Sequence, residues 1–191
     1  MKTVLRAIRD RLAGFWPARG TQPQPTGPAE IRLHLPRCLR ESLAAQTVPR
    51  VACPEPLALL RLRYAGEERR DVIVAVGVLP FAEEAYVEGD AGANFDTRWL
   101  IARANDELFT NCGLMLVHSH GGRGTPDFSW TDRRTNHDVM APLAIGVATA
   151  PYGAMVLSTD GQYAVVTTSA GLAPATVIIV PDATTRLDLS A

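Results

Sequence analysis

The sequence has little of several things that would assign it to a particular class of protein. It has three cysteines, an odd number at spacings that match neither a disulfide framework nor a cysteine-based zinc knuckle, so we expect reduced thiols. The net charge of −1 gives no electrostatic attraction to nucleic acid. No run approaches the roughly eighteen apolar residues of a membrane span. We therefore expect a cytoplasmic protein with no nucleic-acid partner and no transmembrane segment.

The first thirty residues divide into two segments that differ from the rest of the chain. Residues 1–17 place apolar side chains at helical spacing among arginines, which predicts an amphipathic helix. Such a helix either packs on its own domain or a second copy, or docks on a membrane surface or a partner. Residues 18–30 are rich in proline and glycine and predict a linker. A folded domain is therefore expected over 31–191, which is long enough to bury a core.

Beyond the linker, helical and strand patterns alternate along the chain. Helical spacing predicts three helices, over residues 37–46, 96–111 and 130–140. Runs rich in leucine, valine and isoleucine predict strands over 57–64, 71–79, 114–120, 143–149, 154–158 and 163–168, with a last edge strand over 177–180. Together these patterns predict an α/β domain with a central mixed β-sheet flanked by helices.

The segment LMLVHSHGGRGTPDFSWTDRR contains the clearest chemical signal. His118 and His120 lie two residues apart at the end of a predicted strand, so both imidazoles leave the same face of the strand. A zinc ion needs a third protein ligand and, in catalytic sites, leaves its fourth position to water. The nearby candidates for the third ligand are Asp127, Asp132 and His137.

Asp132 is favoured among these candidates. Ser129 and Asp132 have the spacing of a capping box, which puts Asp132 in the first turn of a helix, where its position is well fixed. The glycine-rich loop 121–128 can fold back so that this helix start meets the strand end. In the plainer interpretation, Asp132 only complements the helix N-terminus. Asp127 lies in the loop and is less firmly held, whereas His137 lies more than one turn further on and faces another direction.

This succession of His-x-His, a loop with glycine and proline, and Ser-x-x-Asp resembles the signature of the JAMM (MPN-domain) zinc metalloproteases. The resemblance implies one zinc ion per chain, bound by His118, His120 and Asp132, and a Ser129 that helps to hold the oxyanion of the scissile carbonyl. It also implies a JAMM-type fold with the metal site at a strand end. The sequence departs from the usual pattern in one respect, because eight residues rather than seven separate His120 from Ser129.

The same family needs an upstream glutamate that passes a proton from the attacking water to the leaving amine. The matching position is Glu55, which stands between two prolines before a leucine-rich strand. The match is one of position, since the family's glycine after this glutamate is replaced here. Glu83 and Glu84 are the alternatives. Cys112 precedes a hydrophobic strand, and we expect a buried thiol there rather than a nucleophile.

The resemblance implies an isopeptidase or peptidase that cleaves after the C-terminal glycine of a ubiquitin-like protein. The short chain resembles bacterial members, which often occur in operons with ubiquitin-like proteins and E1- and E2-like enzymes, several of them linked to antiphage defence. The expected partners are such a protein, its conjugates and these enzymes. Alternatives are a JAMM hydrolase that processes a sulfur-carrier protein and a non-catalytic MPN scaffold. The acidic stretch 81–95 either borders a groove for the substrate tail or is a solvated loop.

Overall fold

The computed structural model describes residues 30–48, 55–87, 95–140, 149–168 and 171–182. Within these residues the strands are β1 (Arg32–Pro36), β2 (Ala58–Tyr64), β3 (Val72–Pro80), β4 (Gly113–Ser119), β5 (Gly153–Leu157), β6 (Gln162–Thr168) and β7 (Gly171–Val180). The helices are α1 (Arg37–Gln46), α2 (Thr97–Leu108) and α3 (Trp130–Thr135), the last continued by a π-helical turn over Asn136–Met140. The predicted N-terminal helix and all but the last residue of the predicted linker lie outside the described residues.

The strands close into a barrel, so the predicted fold class, an α/β JAMM-type domain with a central mixed sheet flanked by helices, is wrong. The order around the barrel is β1-β3-β2-β4-β5-β6-β7, and β1 closes it by pairing in parallel with both β3 and β7. The five residues of β1, RLHLP, alternate between polar and apolar side chains, a pattern typical of a strand, but no strand was predicted there, and the pattern over 177–180 predicts only a short edge strand. Alternation along a strand identifies its two faces, but it does not identify the neighbours that close a sheet.

Alternation along the strands divides the apolar side chains between the inside and the outside of the barrel. All seven strands and α1 fill the interior, with Leu33, Leu43, Leu60, Ile73, Met115, Met155, Val166 and Ala175 among the contributing residues. The alternate residues of β2 and β4 face outward and pack under α2, where they form a second cluster with Leu59, Leu100, Leu116 and Tyr152. The even-numbered residues of β4 therefore face outward, and this decides the face on which His118 lies.

Several predicted elements occur close to their predicted positions. The helix over 37–46 is confirmed with those bounds. The helix over 96–111 is shorter at both ends, and the one over 130–140 is α-helical only to Thr135 before it widens into the π-helical turn. The predicted strand 143–149 falls outside the described residues, except for Thr149 in a turn. None of the helices within the described part of the chain has the length and apolar character needed to cross a membrane.

Candidate metal centre

The two histidines of the signature motif lie at the end of β4, on the outer face of the barrel. His118 is the last buried residue of the strand, and His120 directly follows the strand's final residue. Their Nε2 atoms are 3.0 Å apart. The backbone N–H of His120 donates to the carbonyl oxygen of Leu157 at 3.1 Å, which holds the second histidine beside β5. The strand thus presents both imidazoles on one face.

Asp132 joins the two histidines from the first turn of α3. Its Oδ1 lies 3.3 Å from Nε2 of His118, and its Oδ2 lies 3.1 Å from Nε2 of His120. Around a tetrahedral zinc ion with bonds of about 2.0–2.1 Å, neighbouring ligand atoms are about 3.3 Å apart. His118, His120 and Asp132, called the ligand group below, therefore have the spacing of a site for one small cation.

The predicted capping box is present at the start of α3, and it fixes the orientation of Asp132. The N–H of Asp132 donates to Oγ of Ser129 at 3.2 Å, and the N–H of Ser129 donates to Oδ2 of Asp132 at 2.7 Å. One carboxylate oxygen therefore caps the helix while the other faces His118. The plainer interpretation, in which Asp132 only caps the helix, does not account for the two imidazoles at about 3 Å from the carboxylate.

The electrostatics of the ligand group favour an ionised Asp132. Burial raises the pKa of this carboxyl group, but hydrogen bonding to His118, electrostatic attraction to the His118 ring and hydrogen bonds from Ser129 together outweigh it. They hold the pKa of Asp132 well below its usual range. A metal cation needs an ionised carboxylate and neutral imidazoles, and the low pKa of Asp132 supplies the first of these two conditions.

The loop between β4 and α3 is tied to the turn between β5 and β6, and this sets where α3 begins. The loop reverses through glycines with positive φ at Gly121, Gly122 and Gly124. The N–H of Gly124 donates to Oδ1 of Asp160 at 2.6 Å, and the Ser158 hydroxyl donates to the Gly124 carbonyl at 2.6 Å. A Cβ on Gly161 would lie 2.4 Å from that carbonyl oxygen, so only glycine fits there. The loop therefore accommodates the extra residue between His120 and Ser129, and Asp132 still lies beside the histidines.

Asp127 and His137, the other sequence candidates for the third ligand, have different partners. Both carboxylate oxygens of Asp127 accept hydrogen bonds from Arg133 at 2.6 Å. The Nδ1 of His137 lies 3.0 Å from Oδ1 of Asp138. Among the described residues, the ligand group is the one set of three or more histidine, cysteine or acidic side chains with ligand atoms close enough to hold a metal.

Glu55 lies just before β2, beside the same end of β4. The two strands are antiparallel, with Ala58 opposite Val117 and Leu59 opposite Leu116. Continued by three residues, this register places Glu55 opposite His120. Residues opposite one another in an antiparallel pair share a face, so the register puts Glu55 on the outer face with the ligand group. Glu55 thus directly precedes the strand that pairs with β4 beside the two histidines, although residues 55–57 are not themselves part of the strand ladder.

The other residues singled out in the sequence do not belong to the ligand group. Glu83 and Glu84 are exposed in a single 3-10 turn after β3, which β2 separates from β4. Residues 88–94 of the acidic stretch lie outside the described residues. Cys112 is fully buried before the opposite end of β4, where Nε of Arg63 donates to its Sγ at 3.2 Å. Its burial argues against a role as a nucleophile.

The residues that support the site from distant parts of the chain carry no signal in the sequence. Ser158 and Asp160, which anchor the glycine loop, lie more than thirty residues along the chain from it. Tyr86, discussed below, is 29 residues from the backbone group that it binds. A serine or aspartate in a turn is common, and a tyrosine beside other aromatic residues is typical of a core. No local signal therefore identifies these three residues.

Comparison with known proteins leaves the family of this chain open. No protein-family model matches it, and no curated protein sequence matches it. The solution structure of protein DSY2949 from Desulfitobacterium hafniense, a structural-genomics target, is similar to it with 16% sequence identity and a TM-score of 0.48. That match covers 78% of this chain and 93% of the other. A likeness at this level carries no argument about fold or function, so the functional case stands on the ligand group.

Proposed function

We propose that this chain is a zinc-dependent peptidase of the JAMM type that cleaves after the C-terminal glycine of a bacterial ubiquitin-like protein, in deconjugation or in precursor maturation. The observation that carries the proposal is the convergence of two imidazole nitrogens and a carboxylate at the end of β4. Two histidines and one carboxylate form a ligand set found in catalytic zinc sites. The group opens to solvent on one side, because the His120 side chain is 27% exposed and that of His118 only 8%.

In this proposal the residues of the site have separate tasks. The ligand group holds the metal, which when bound polarises a carbonyl and lowers the pKa of water toward neutrality. Glu55 takes a proton from the attacking water and delivers it to the leaving amine. Ser129 is exposed at the start of α3 and donates its hydroxyl to the carbonyl oxygen as that oxygen gains negative charge.

The choice of substrate has a different basis from the choice of metal. Zinc is supported by the chemistry and spacing of the ligand group, although the same donor types also bind non-haem iron. The ubiquitin-like substrate is supported by the resemblance to the JAMM signature. We expect an exposed site on the outside of a barrel to accept the slim glycine tail of a folded protein more readily than a small molecule that needs an enclosing pocket.

The first test is the metal content of the purified protein, measured by elemental analysis. We expect about one equivalent of zinc in the wild type and in Glu55→Ala, and none in Asp132→Ala. Asp138→Ala is the matched control, since this exposed aspartate on the following turn lies outside the ligand group. Iron in place of zinc would overturn the assignment of the metal, and a wild-type protein that holds no metal would remove the basis for a metallopeptidase.

The second test is cleavage of a cognate ubiquitin-like protein fused through its glycine tail to a reporter. The zinc-loaded wild type should cleave the fusion, a chelator should stop the reaction and added zinc should restore it. Glu55→Gln should retain zinc but lose most of the activity. A sulfur-carrier fusion tested in parallel distinguishes the alternative substrate. Zinc binding without cleavage of either fusion would favour a non-catalytic scaffold over the peptidase.

A further inference from the structure

A hydrogen bond ties the segment that carries Glu55 to the connection after β3. The backbone N–H of Leu57 donates to the hydroxyl oxygen of Tyr86 at 2.7 Å. Leu57 directly precedes β2, whose first residue, Ala58, pairs with Val117, the neighbour of His118 in β4. The bond therefore acts on the part of the chain that lies beside the ligand group, two residues from the proposed base.

The hydroxyl of Tyr86 is held by its surroundings. Its ring packs edge-on against Phe81, with the ring centroids 5.2 Å apart, and Tyr86 forms an isolated antiparallel bridge with Phe95. Phe81 also contacts Phe95 and Trp99, so these rings form an aromatic cluster over the outer face of β2 and β4. Because the ring is fixed by this cluster, the position of its hydroxyl is fixed as well.

Residues 55–57 need such an anchor because the strand ladder does not include them. The paired residues of β2 begin at Ala58, so the backbone before it is placed by other contacts. The Leu57 side chain is buried in the apolar cluster under α2, which fixes one end of the segment. A general base must lie within hydrogen-bond reach of the proton that it moves, and displacement by about 1 Å can cost on the order of 100-fold in rate.

We propose that Tyr86 is a positioning residue that sets the place of Glu55 relative to the ligand group, through the hydrogen bond from Leu57. This inference rests on the proposed function. Tyr86 itself holds no metal and transfers no proton, and its effect on catalysis passes through the backbone of residues 55–57. Loss of its hydroxyl should therefore slow the reaction without changing metal content.

The decisive comparison is between Tyr86→Phe and Tyr152→Phe. Tyr152 belongs to the same apolar cluster, and its buried hydroxyl has no hydrogen-bond partner among the described residues, so Tyr152→Phe removes a hydroxyl that anchors none of them. Tyr86→Phe should keep one equivalent of zinc and a wild-type KM while kcat falls about tenfold or more. Tyr152→Phe should leave the zinc content, KM and kcat unchanged. Equal kcat values for Tyr86→Phe and wild type would overturn the positioning role and leave the proposed function standing.

A second measurement separates positioning from a general loss of structure. In a Glu55→Gln background, Tyr86→Phe should cause no further loss of the residual activity, because the group through which it acts is already gone. An equal loss in both backgrounds would show that Tyr86 supports the fold rather than Glu55. Independently of activity, exchange of the Leu57 amide hydrogen, followed by NMR, should be faster in Tyr86→Phe than in wild type. Unchanged exchange would also overturn the inference, and a wild type without zinc or cleavage would instead refute the proposed function.

Discussion

The outer face of β2 and β4 has a polar cluster at each end. In one cluster the side chains are mostly hydrogen-bond acceptors, and in the other each acceptor is paired with a donor. At one end the ligand group brings together three side chains that offer lone pairs. At the other end, Nε of Arg61 donates to Oε2 of the buried Glu107 at 2.7 Å, and the Thr110 hydroxyl donates to the Glu107 carbonyl at 2.8 Å. Arg63 completes this second cluster by donating to the Thr110 carbonyl at 2.7 Å.

The difference between the clusters shows how a structural ion pair is distinguished from a site for a cation. In the Arg61–Glu107 cluster each acceptor meets a donor, so the polar groups satisfy one another and need nothing further. In the ligand group the acceptors face each other, and Nε2 atoms 3.0 Å apart require a proton or a cation between them. Both clusters are polar and largely buried, but only the ligand group has the charge arrangement of a binding site.

The largest effect is expected from removing the carboxylate of the ligand group. Asp132→Ala deletes a metal ligand, so zinc affinity should fall by more than the roughly 10–100-fold typical of losing a group that only supports a ligand. Isothermal titration with zinc measures this loss. The same change removes the capping box, so some loss of stability should accompany it. Zinc affinity equal to that of Asp138→Ala would contradict the assignment.

Glu107→Ala should have a large effect on stability and none on zinc binding. The change leaves the Arg61 guanidinium without its buried partner, and we expect the free energy of unfolding to fall by about 2–3 kcal/mol, with zinc content unchanged. Urea denaturation measures the fall. Asp106→Ala on the same helix is the control, since its pair with Arg103 is exposed and long at 3.8 Å, and it should cost less than about 1 kcal/mol. Loss of zinc in Glu107→Ala would show that the two polar clusters are not independent of each other.

Gly161→Ala should lower both the stability of the protein and its affinity for zinc, each by a smaller amount. The new Cβ would meet the Gly124 carbonyl at 2.4 Å, so the glycine loop must shift, at a cost of about 1–3 kcal/mol in stability. Because that loop sets the start of α3, zinc affinity should also fall several-fold. Gly66→Ala is the control, since the nearest atom that its Cβ would meet in the described part of the chain is Cβ of Arg69, at 4.0 Å. Stability loss without any change in zinc affinity would show that the loop does not position Asp132.

The smallest effect is expected far from both clusters, at Asp182. Its Oδ1 accepts the N–H of Cys38 in the first turn of α1 at 2.8 Å, and this hydrogen bond lowers the pKa of Asp182. A lowered pKa in the folded state means that the stabilisation is present above the unfolded pKa of about 3.9 and is lost as pH falls through the folded value. Asp182→Asn should therefore lower Tm slightly at pH 7 and have no effect at strongly acidic pH. A Tm difference that is the same at both pH values would contradict this.

Local patterns predicted the parts of the ligand group, because each part is a short-range feature. A strand spacing of two places His118 and His120 on one face, and the capping box places Asp132 in the first turn of α3. The helix over 37–46 was predicted for the same reason, since its apolar spacing is contained within the element. The closure of the barrel by β1 and β7 was not predicted, since β1 is short and its partners lie about 40 and 140 residues further along the chain.

The sequence by itself therefore determined the chemistry of the site: which residue types are present, on which face of an element they lie and which of them begins a helix. These properties depend on spacings within a strand or a single helical turn. Only the tertiary structure decided that the helix start meets the strand end, that Glu55 precedes the strand paired with β4 and that the Tyr86 hydroxyl accepts a hydrogen bond from Leu57. Those three relations depend on contacts between residues distant in the chain, whose free energy comes from strand pairing and packing in the closed barrel and has no local signature.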